Sequence, residues 1–217
     1  MRSVNDILKL VCTFLNERNI NYCIVGGFAV IIHGNPRSTM DIDFVLQIEE
    51  KDIPDVVKFL QDNNFFADED DMRAAFSEKS HCTVEDKETM YRLDIKGMYN
   101  EMDERVLKNK VQIEYLGTSI NIASAEDTIA NKLLFGRGQD IIDALGIYVR
   151  QKQELDMDYL ETLCMGLGVY EELKRLIKKR LERASENVSK IYEENKAKMQ
   201  VAEDKIKKMH EGKKRKG

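Results

Sequence analysis

Two aspartates stand one residue apart, Asp41 and Asp43, within the stretch from Met40 to Ile48. This stretch alternates polar and apolar residues with the period of a strand, so both carboxylates point to one face. Carboxylate oxygens suit hard cations such as Mg²⁺ or Mn²⁺, and Mg²⁺ keeps much of its octahedral shell for water and substrate phosphates. The pair predicts a divalent-metal site for phosphoryl or nucleotidyl transfer.

Gly26 and Gly27 follow a short apolar stretch, Tyr22 to Val25, and precede another, Phe28 to His33. The pattern predicts a buried strand, a tight turn and a short buried helix. Glycines leave backbone N–H groups open to a phosphate, and a helix N-terminus favours anions. Alone, a Gly-Gly pair is usually only a turn and an Asp-x-Asp pair only a solvated strand face. Their order and spacing together favour a nucleoside triphosphate site.

Polar residues lie between the glycines and the aspartates. Arg37 either binds phosphate or anchors its loop, and Ser38 and Thr39 are candidates for hydroxyl contacts to the triphosphate. His33 is expected to pack at a helix end rather than to catalyse.

The spacing of these motifs resembles the signature of the DNA polymerase β-like nucleotidyltransferase superfamily, with thirteen residues between Gly27 and Asp41. The fuller string, GGFAVIIHGNPRSTMDIDF, is similar to the branch that contains the AbiEii-type toxins and the small antibiotic nucleotidyltransferases. The resemblance covers the N-terminal body and extends toward residue 143, but not to the C-terminal helix.

The resemblance implies a third carboxylate on a neighbouring strand, and Asp94 is the best candidate. Such a residue contacts a second metal and acts as base toward the attacking hydroxyl. The alternative is that Asp94 only pairs with Arg92 or Lys96, which lie two residues away on the same strand face.

The resemblance also implies a helical lysine that contacts the β- and γ-phosphates, here Lys132, with Arg137 assisting. Asp140 and Asp143 lie three residues apart on one helix face. They either belong to the site or are helix-start charges that pair with Arg137. The interval from Lys132 to Asp140 is shorter than in the AbiEii-type toxins, which leaves the role of Asp140 open.

The net charge of −5 conceals an asymmetry along the chain. Residues 171–217 hold 16 Lys/Arg against 9 Asp/Glu, whereas the preceding 170 residues hold 18 against 30. An acidic body suits cation binding, and a basic tail suits a polyanion such as RNA. A salt-bridged, solvated helix is the equally favoured alternative for the tail.

No stretch approaches the roughly 20 apolar residues that span a bilayer, and the N-terminus lacks a signal-peptide core. We therefore expect a cytoplasmic protein without a membrane partner. The cysteines are widely spaced, which predicts free thiols packed as small hydrophobic groups and no structural zinc site. They are Cys12, Cys23, Cys82 and Cys164.

The hydrophobic pattern predicts an α/β (α+β) fold with a mixed sheet flanked by helices. Predicted domains are a nucleotidyltransferase body (1–122), a helical module (123–168) and a long basic helix (169–217). Ser124 and Asp127 predict a helix start. Ile177, Leu181, Ala184, Val188 and Ile191 form a coiled-coil-like seam, which predicts a homodimer through this helix.

The expected function is Mg²⁺-dependent transfer of a nucleoside monophosphate from a nucleoside triphosphate to an acceptor hydroxyl. The acceptor is RNA, particularly a tRNA end, or a protein hydroxyl, or a small molecule such as an antibiotic. The resemblance to toxins adds an antitoxin protein as a candidate partner. The alternative from another class is a non-catalytic binding or oligomerisation module that keeps the fold.

Overall fold

The computed structural model describes residues 2–180. The chain divides into two units, Met1–Tyr170 and Glu171–Gly217. The predicted body and helical module thus lie in the same unit. Residues 170–180 are helical, while the remaining part of the predicted basic helix, including its seam beyond Ile177 and its frayed end, lies outside the described residues.

A seven-stranded mixed sheet forms the centre of the first unit, in the order β3-β4-β5-β2-β1-β7-β6. β2 pairs in parallel with β5, and β1 pairs in parallel with β7, whereas the other neighbours are antiparallel. The strands are β1 (Asn21–Val25), β2 (Asp41–Gln47), β3 (Phe65–Phe66), β4 (His81–Asp86), β5 (Arg92–Gly97), β6 (Val111–Tyr115) and β7 (Thr118–Ile122).

Helices cover both faces of this sheet, and a 3-10 turn (Glu50–Asp52) precedes the third. They are α1 (Val4–Glu17), α2 (Gly26–His33), α3 (Ile53–Asp62), α4 (Glu69–Ser77), α5 (Glu101–Lys108), α6 (Ala125–Phe135), α7 (Gly138–Gln151) and α8 (Met157–Gly166). The fold is therefore the predicted mixed α/β architecture, with a sheet between helices.

The two faces of β2 and β5 have opposite roles. Ile42, Phe44, Leu93 and Ile95 are buried in the main hydrophobic core, together with residues of α1, α3 and α4. Because side chains alternate across a strand, the intervening residues face the other side, where Asp41, Asp43 and Asp94 lie. Because the apolar side chains are buried in the core, the three aspartates must point to the opposite side of the sheet.

Local structure differs from the sequence prediction at several points. The chain enters α2 at Gly26 itself, so the glycines form the first helical turn rather than a separate turn. α5 and the two-residue strand β3 were not predicted, because α5 is rich in charge and β3 is too short for a period.

Two other expectations, the start of α6 and the free thiols, are confirmed. Ser124 caps α6 by accepting from the Asp127 amide. The four cysteines are buried free thiols. Within residues 2–180, no helix is both long enough and apolar enough to cross a membrane.

Candidate active site

The register of three strands arranges the acidic face in rows. Asp43 on β2 is opposite Asp94 on β5, which in turn is opposite Thr83 on β4. The row on one side contains Asp41 and Arg92, and the row on the other side contains Val45, Lys96 and His81. Neighbouring strands lie about 4.8 Å apart, so the register sets Asp43 and Asp94 side by side.

Asp94 pairs with neither of its basic strand neighbours. Its Oδ1 accepts a hydrogen bond from Thr83 Oγ1 at 2.6 Å. Arg92 instead donates to Asp41 Oδ1 from Nε at 2.8 Å and from a terminal nitrogen at 2.7 Å. Lys96 Nζ contacts Asp103 Oδ1 at 2.6 Å. Asp94 therefore faces Asp43 without a cation of its own.

Asp43 occupies an unfavourable position for a charge. Burial raises the pKa of its carboxyl, and the nearby anion of Asp94 raises it further. The backbone N–H of Gly27 donates to Asp43, and the more distant ammonium of Lys132 also favours the charged form, but the pKa remains above its ordinary value. The sheet thus holds Asp43 where a further positive charge would be stabilising.

Gly26 makes the close approach of Asp43 to α2 feasible. Its φ of +63° lies in the left-handed region, which glycine tolerates best. A Cβ at this position would lie 2.1 Å from Asp43 Oδ2. Gly26 therefore allows the backbone to turn at this point and also leaves room for the Asp43 carboxylate.

Arg37, Lys132 and Arg137 form a basic wall in the cavity that is also lined by the acidic row of Asp43 and Asp94. Lys132 Nζ donates to Asp140 Oδ1 at 2.8 Å and lies 3.4 Å from Asp143 Oδ2. Arg37 Nε lies 3.5 Å from Asp143 Oδ1, and Arg137 Nε donates to Asp140 Oδ2 at 2.7 Å.

This basic wall is held in place from behind. The carboxylates of Asp140 and Asp143 are buried, at 2% and 4% exposure, whereas Arg37, Lys132 and Arg137 line the cavity. The pair of aspartates offsets only part of the charge of the cations. Asp140 thus forms the expected ion pair with Arg137, and it also positions Lys132.

The loop before β2 lies over the start of α2. A Cβ on Gly27 would be 2.9 Å from both an Arg37 terminal nitrogen and Thr39 Oγ1, which places these side chains directly over the helix N-terminus. Thr39 Oγ1 donates to the Asp41 carbonyl at 3.1 Å. Ser38 is exposed and does not contribute a side chain to the described cavity wall.

His33 has the structural role expected of it. Its buried Nε2 lies 2.7 Å from the Ala123 carbonyl, so this nitrogen carries the proton and donates. Burial lowers the pKa of His33, and this hydrogen bond only partly opposes the shift. The neutral ring joins the end of α2 to the segment before α6.

The acidic row and basic wall enclose a cavity of about 470 Å³. Its remaining wall comes from residues that the sequence analysis did not identify, namely His81, Lys96, Met102, Asp103, Val106, Thr128, Asn131 and Phe135. The helical period of α6 could have indicated Thr128, Asn131 and Phe135, because these residues share a face with Lys132. The four-residue spacing of Met102 and Val106 could likewise have indicated a helical face on α5, although most of that helix is charged.

The donor set fits a divalent cation in part. Among residues 2–180, no three acidic, histidine or cysteine groups are arranged to surround one ion. Asp43 and Asp94 nevertheless supply adjacent carboxylates, and Mg²⁺ commonly binds through one or two carboxylates while water and phosphate complete its shell. Asp41 lies on the same face, although Arg92 holds it here. The residues therefore fit a cation that is shared with a phosphate-bearing ligand.

Solved structures with similar folds include several nucleotidyltransferases. An antigenic nucleotidyltransferase-like protein from Paracoccidioides brasiliensis is 18% identical, with 85% of this chain and 93% of that chain covered and a TM-score of 0.49. ANT(2")-Ia in complex with adenylyl-2"-tobramycin is 14% identical, with 74% and 94% covered and a TM-score of 0.49. The lincomycin-bound lincosamide antibiotic adenylyltransferase LnuA is 18% identical, with 67% and 98% covered and a TM-score of 0.47.

No curated protein is significantly similar to the chain in sequence. A family model described as "nucleotidyltransferase of unknown function (DUF6036)" matches residues 3–209, which is nearly the whole chain. The chain belongs to this nucleotidyltransferase family.

Proposed function

We propose that the protein transfers a nucleoside monophosphate from a nucleoside triphosphate to an acceptor hydroxyl, with Mg²⁺ or Mn²⁺ as cofactor. The observation that carries this proposal is the pairing of Asp43 with Asp94 across β2 and β5, in a cavity that is also lined by cationic side chains. Family membership supports the same reaction class.

The basic wall is the proposed site of the triphosphate. Arg37, Lys132 and Arg137 line the cavity, and the two buried aspartates behind them fix their positions. Fixed cations of this kind stabilise the charge that develops on a leaving pyrophosphate without reorganising during the reaction. Gly27 and Thr39 lie at the start of α2, between this wall and the acidic row.

Asp43 and Asp94 are the proposed metal ligands, and Asp41 joins them once it separates from Arg92. The cation supplies Lewis acidity toward the phosphate oxygens when bound. Asp94 is also the proposed base: its Oδ1 accepts from Thr83 and keeps a second lone pair for the cation, while Oδ2 is left for the acceptor. The hydroxyl oxygen forms a bond to the α-phosphorus, the bond to pyrophosphate breaks, and the hydroxyl proton passes to Asp94.

RNA is the proposed acceptor. The toxin-like branch and RNA as acceptor rest on the resemblance and on the basic residues from 171 onward. A homodimer would involve the same part of the chain, most of which lies outside the described residues. An antitoxin protein is a candidate partner from the resemblance alone. Truncation after Arg180 tests this, because loss of RNA modification with retained binding of the nucleoside triphosphate would assign acceptor binding to the tail, together with a steep salt dependence in the full chain.

The direct test of the reaction uses α-³²P-labelled nucleoside triphosphates, Mg²⁺ and a cell extract as the source of acceptors. We expect labelled product with the full chain and none with an Asp41→Ala/Asp43→Ala double variant. Asp55→Ala is a matched control, because this aspartate is 62% exposed and belongs to a surface ion pair. Equal labelling by all three proteins would contradict the proposed site.

A further inference from the structure

A second part of the cavity wall is apolar and comes from α5 and α6. Met102 and Val106 of α5 and Phe135 of α6 line it, with Thr128 and Asn131 as its polar members. We name these residues the α5–α6 wall. Thr128 Oγ1 already donates to the Ser124 carbonyl at 2.7 Å. Asn131 is therefore the polar side chain with hydrogen-bonding capacity left for a ligand.

Arg105 fixes the orientation of the Asn131 carboxamide. Its terminal nitrogen donates to Asn131 Oδ1 at 3.2 Å, while its Nε donates to Asp127 Oδ1 at 2.7 Å. The reversed carboxamide would set its NH₂ group against a guanidinium that has only donors, which is unfavourable. Asn131 Nδ2 has no hydrogen-bond partner among residues 2–180, so the wall presents a donor of fixed direction.

A buried network keeps Arg105 in this position. Asp127 is 0% exposed, and its Oδ2 accepts from Ser124 Oγ at 2.9 Å and from the Tyr159 hydroxyl at 3.1 Å. Asn109 Nδ2 donates to the same hydroxyl at 2.7 Å. Hydrogen bonds from residues of α5, α6 and α8 thus hold the Arg105 guanidinium in place. An Asn131 amide that only faced solvent would not need a partner fixed in this way.

We propose that the α5–α6 wall is the nucleoside subsite, in which Asn131 Nδ2 donates to a carbonyl oxygen or unprotonated ring nitrogen of the base. Arg105 is a positioning residue that acts through Asn131. An apolar surface with one directed polar group is the usual composition of a site for a flat heterocycle. Phe135, which is 58% exposed, offers a ring for stacking.

The position of Asn131 favours the base of the triphosphate over the acceptor as the occupant. Asn131 directly precedes Lys132 on α6, and both side chains line the same cavity. A group bound at Asn131 therefore lies beside phosphates bound at Lys132. This inference rests on the proposed function, because it assumes that the basic wall binds the triphosphate.

The test compares binding of Mg²⁺ complexes of ATP, GTP, CTP and UTP with binding of inorganic tripolyphosphate, by calorimetry on the full chain without acceptor. We expect the wild type to prefer one base. Asn131→Ala should weaken binding of the preferred nucleotide about 10-fold, the loss of one buried hydrogen bond, and should leave tripolyphosphate binding unchanged. Leu134→Ala on the same helix is the control, because Leu134 is exposed and outside the cavity wall.

Two conservative variants separate hydrogen-bond donation from structural support. Asn131→Asp keeps an acceptor for Arg105 but removes the donor, so it should fold as the wild type does and bind the preferred nucleotide at least 10-fold more weakly. Arg105→Lys retains a charge beside Asp127 but lacks the planar guanidinium that reaches Asp127 and Asn131 from two separate nitrogens, so it should reduce the preference among bases, with tripolyphosphate binding intact.

Three results with the Asn131 variants would overturn the subsite. The first is full nucleotide affinity in Asn131→Asp. The others are equal weakening of all four nucleotides in Asn131→Ala, and equal losses of tripolyphosphate and nucleotide affinity in that variant. If the wild type binds tripolyphosphate but shows no preference among the four nucleotides, the subsite alone is refuted. A wild type that binds neither nucleotide nor tripolyphosphate refutes the proposed function and the subsite with it.

Discussion

Two groups of aspartates in this protein have opposite surroundings. On the helices, Asp127 and Asp140 are at most 2% exposed, and each contacts a basic side chain within 3 Å. On the strands, Asp43 lies beside Asp94, and the described residues place no ion pair on either. We refer to these as the helical and the strand carboxylates.

The difference shows how the chain separates support from chemistry. Burial of a charge is tolerated when the protein supplies its counter-charge and hydrogen bonds, as it does for the helical carboxylates. The strand carboxylates keep a net repulsion that a bound cation would relieve. Such under-compensated groups are typical of functional sites, which are stabilised by the remainder of the fold.

The largest expected effect is on transfer activity. Asp94→Asn keeps the shape of the side chain and its contact with Thr83, but it removes the proposed base and one metal ligand. We expect the rate to fall on the order of 1,000-fold, since metal and base together contribute several kcal/mol to the barrier. Pyrophosphate release measures this, with Asp55→Asn as the surface control. A loss of less than tenfold would remove Asp94 from the chemistry.

The helical carboxylates should instead determine stability. Asp127→Ala leaves Arg105, whose side chain is 19% exposed, without its partner and also removes an acceptor for Tyr159. We expect the free energy of unfolding to fall by about 3–5 kcal/mol, the usual cost of breaking a buried pair. Asp55→Ala breaks an exposed pair and should cost less than about 1 kcal/mol. Urea denaturation compares the two variants, and similar losses would contradict the distinction.

Two glycines with positive φ test how closely α2 approaches the strand carboxylates. A Cβ on Gly26 would collide with Asp43, whereas a Cβ on Gly117, at φ +78°, would meet no atom within 4 Å. Gly117→Ala should therefore cost only the backbone strain, about 1–2 kcal/mol. Gly26→Ala should cost more and should also abolish transfer. Thermal unfolding and the activity assay together decide this, and equal effects would argue against the close contact.

The smallest expected effect is a gain in stability. Because the pKa of Asp43 is raised in the folded state, its charge costs stability at neutral pH. Without metal, Asp43→Asn should therefore be more stable than the wild type at pH 7, by about 1 kcal/mol for each unit of pKa shift. The gain should decline as the pH falls through the raised pKa and vanish below the ordinary value of 3.8. Unfolding in EDTA across this range measures it.

Much of the difference between the strand and the helical carboxylates could be predicted from the sequence. Strand alternation indicated that Asp41 and Asp43 share a face, and the resemblance supplied Asp94 and Lys132. The register that sets Asp94 opposite Asp43, and Arg92 opposite Asp41, depends on long-range pairing that no local pattern encodes. The Arg105–Asp127–Asn131 network was missed for the same reason, because 22 residues separate its ion-pair partners.

The difference between the two groups is tested most directly by the stability of the wild type and Asp43→Asn against unfolding. It is measured first in EDTA and then with Mn²⁺ and a nucleoside triphosphate. We predict that the variant is the more stable protein without ligands. With both ligands the order should reverse, because only the wild type gains binding energy at the strand carboxylates. If both proteins gain equally, or if the wild type is already the more stable one in EDTA, the strand carboxylates do not form a cation site.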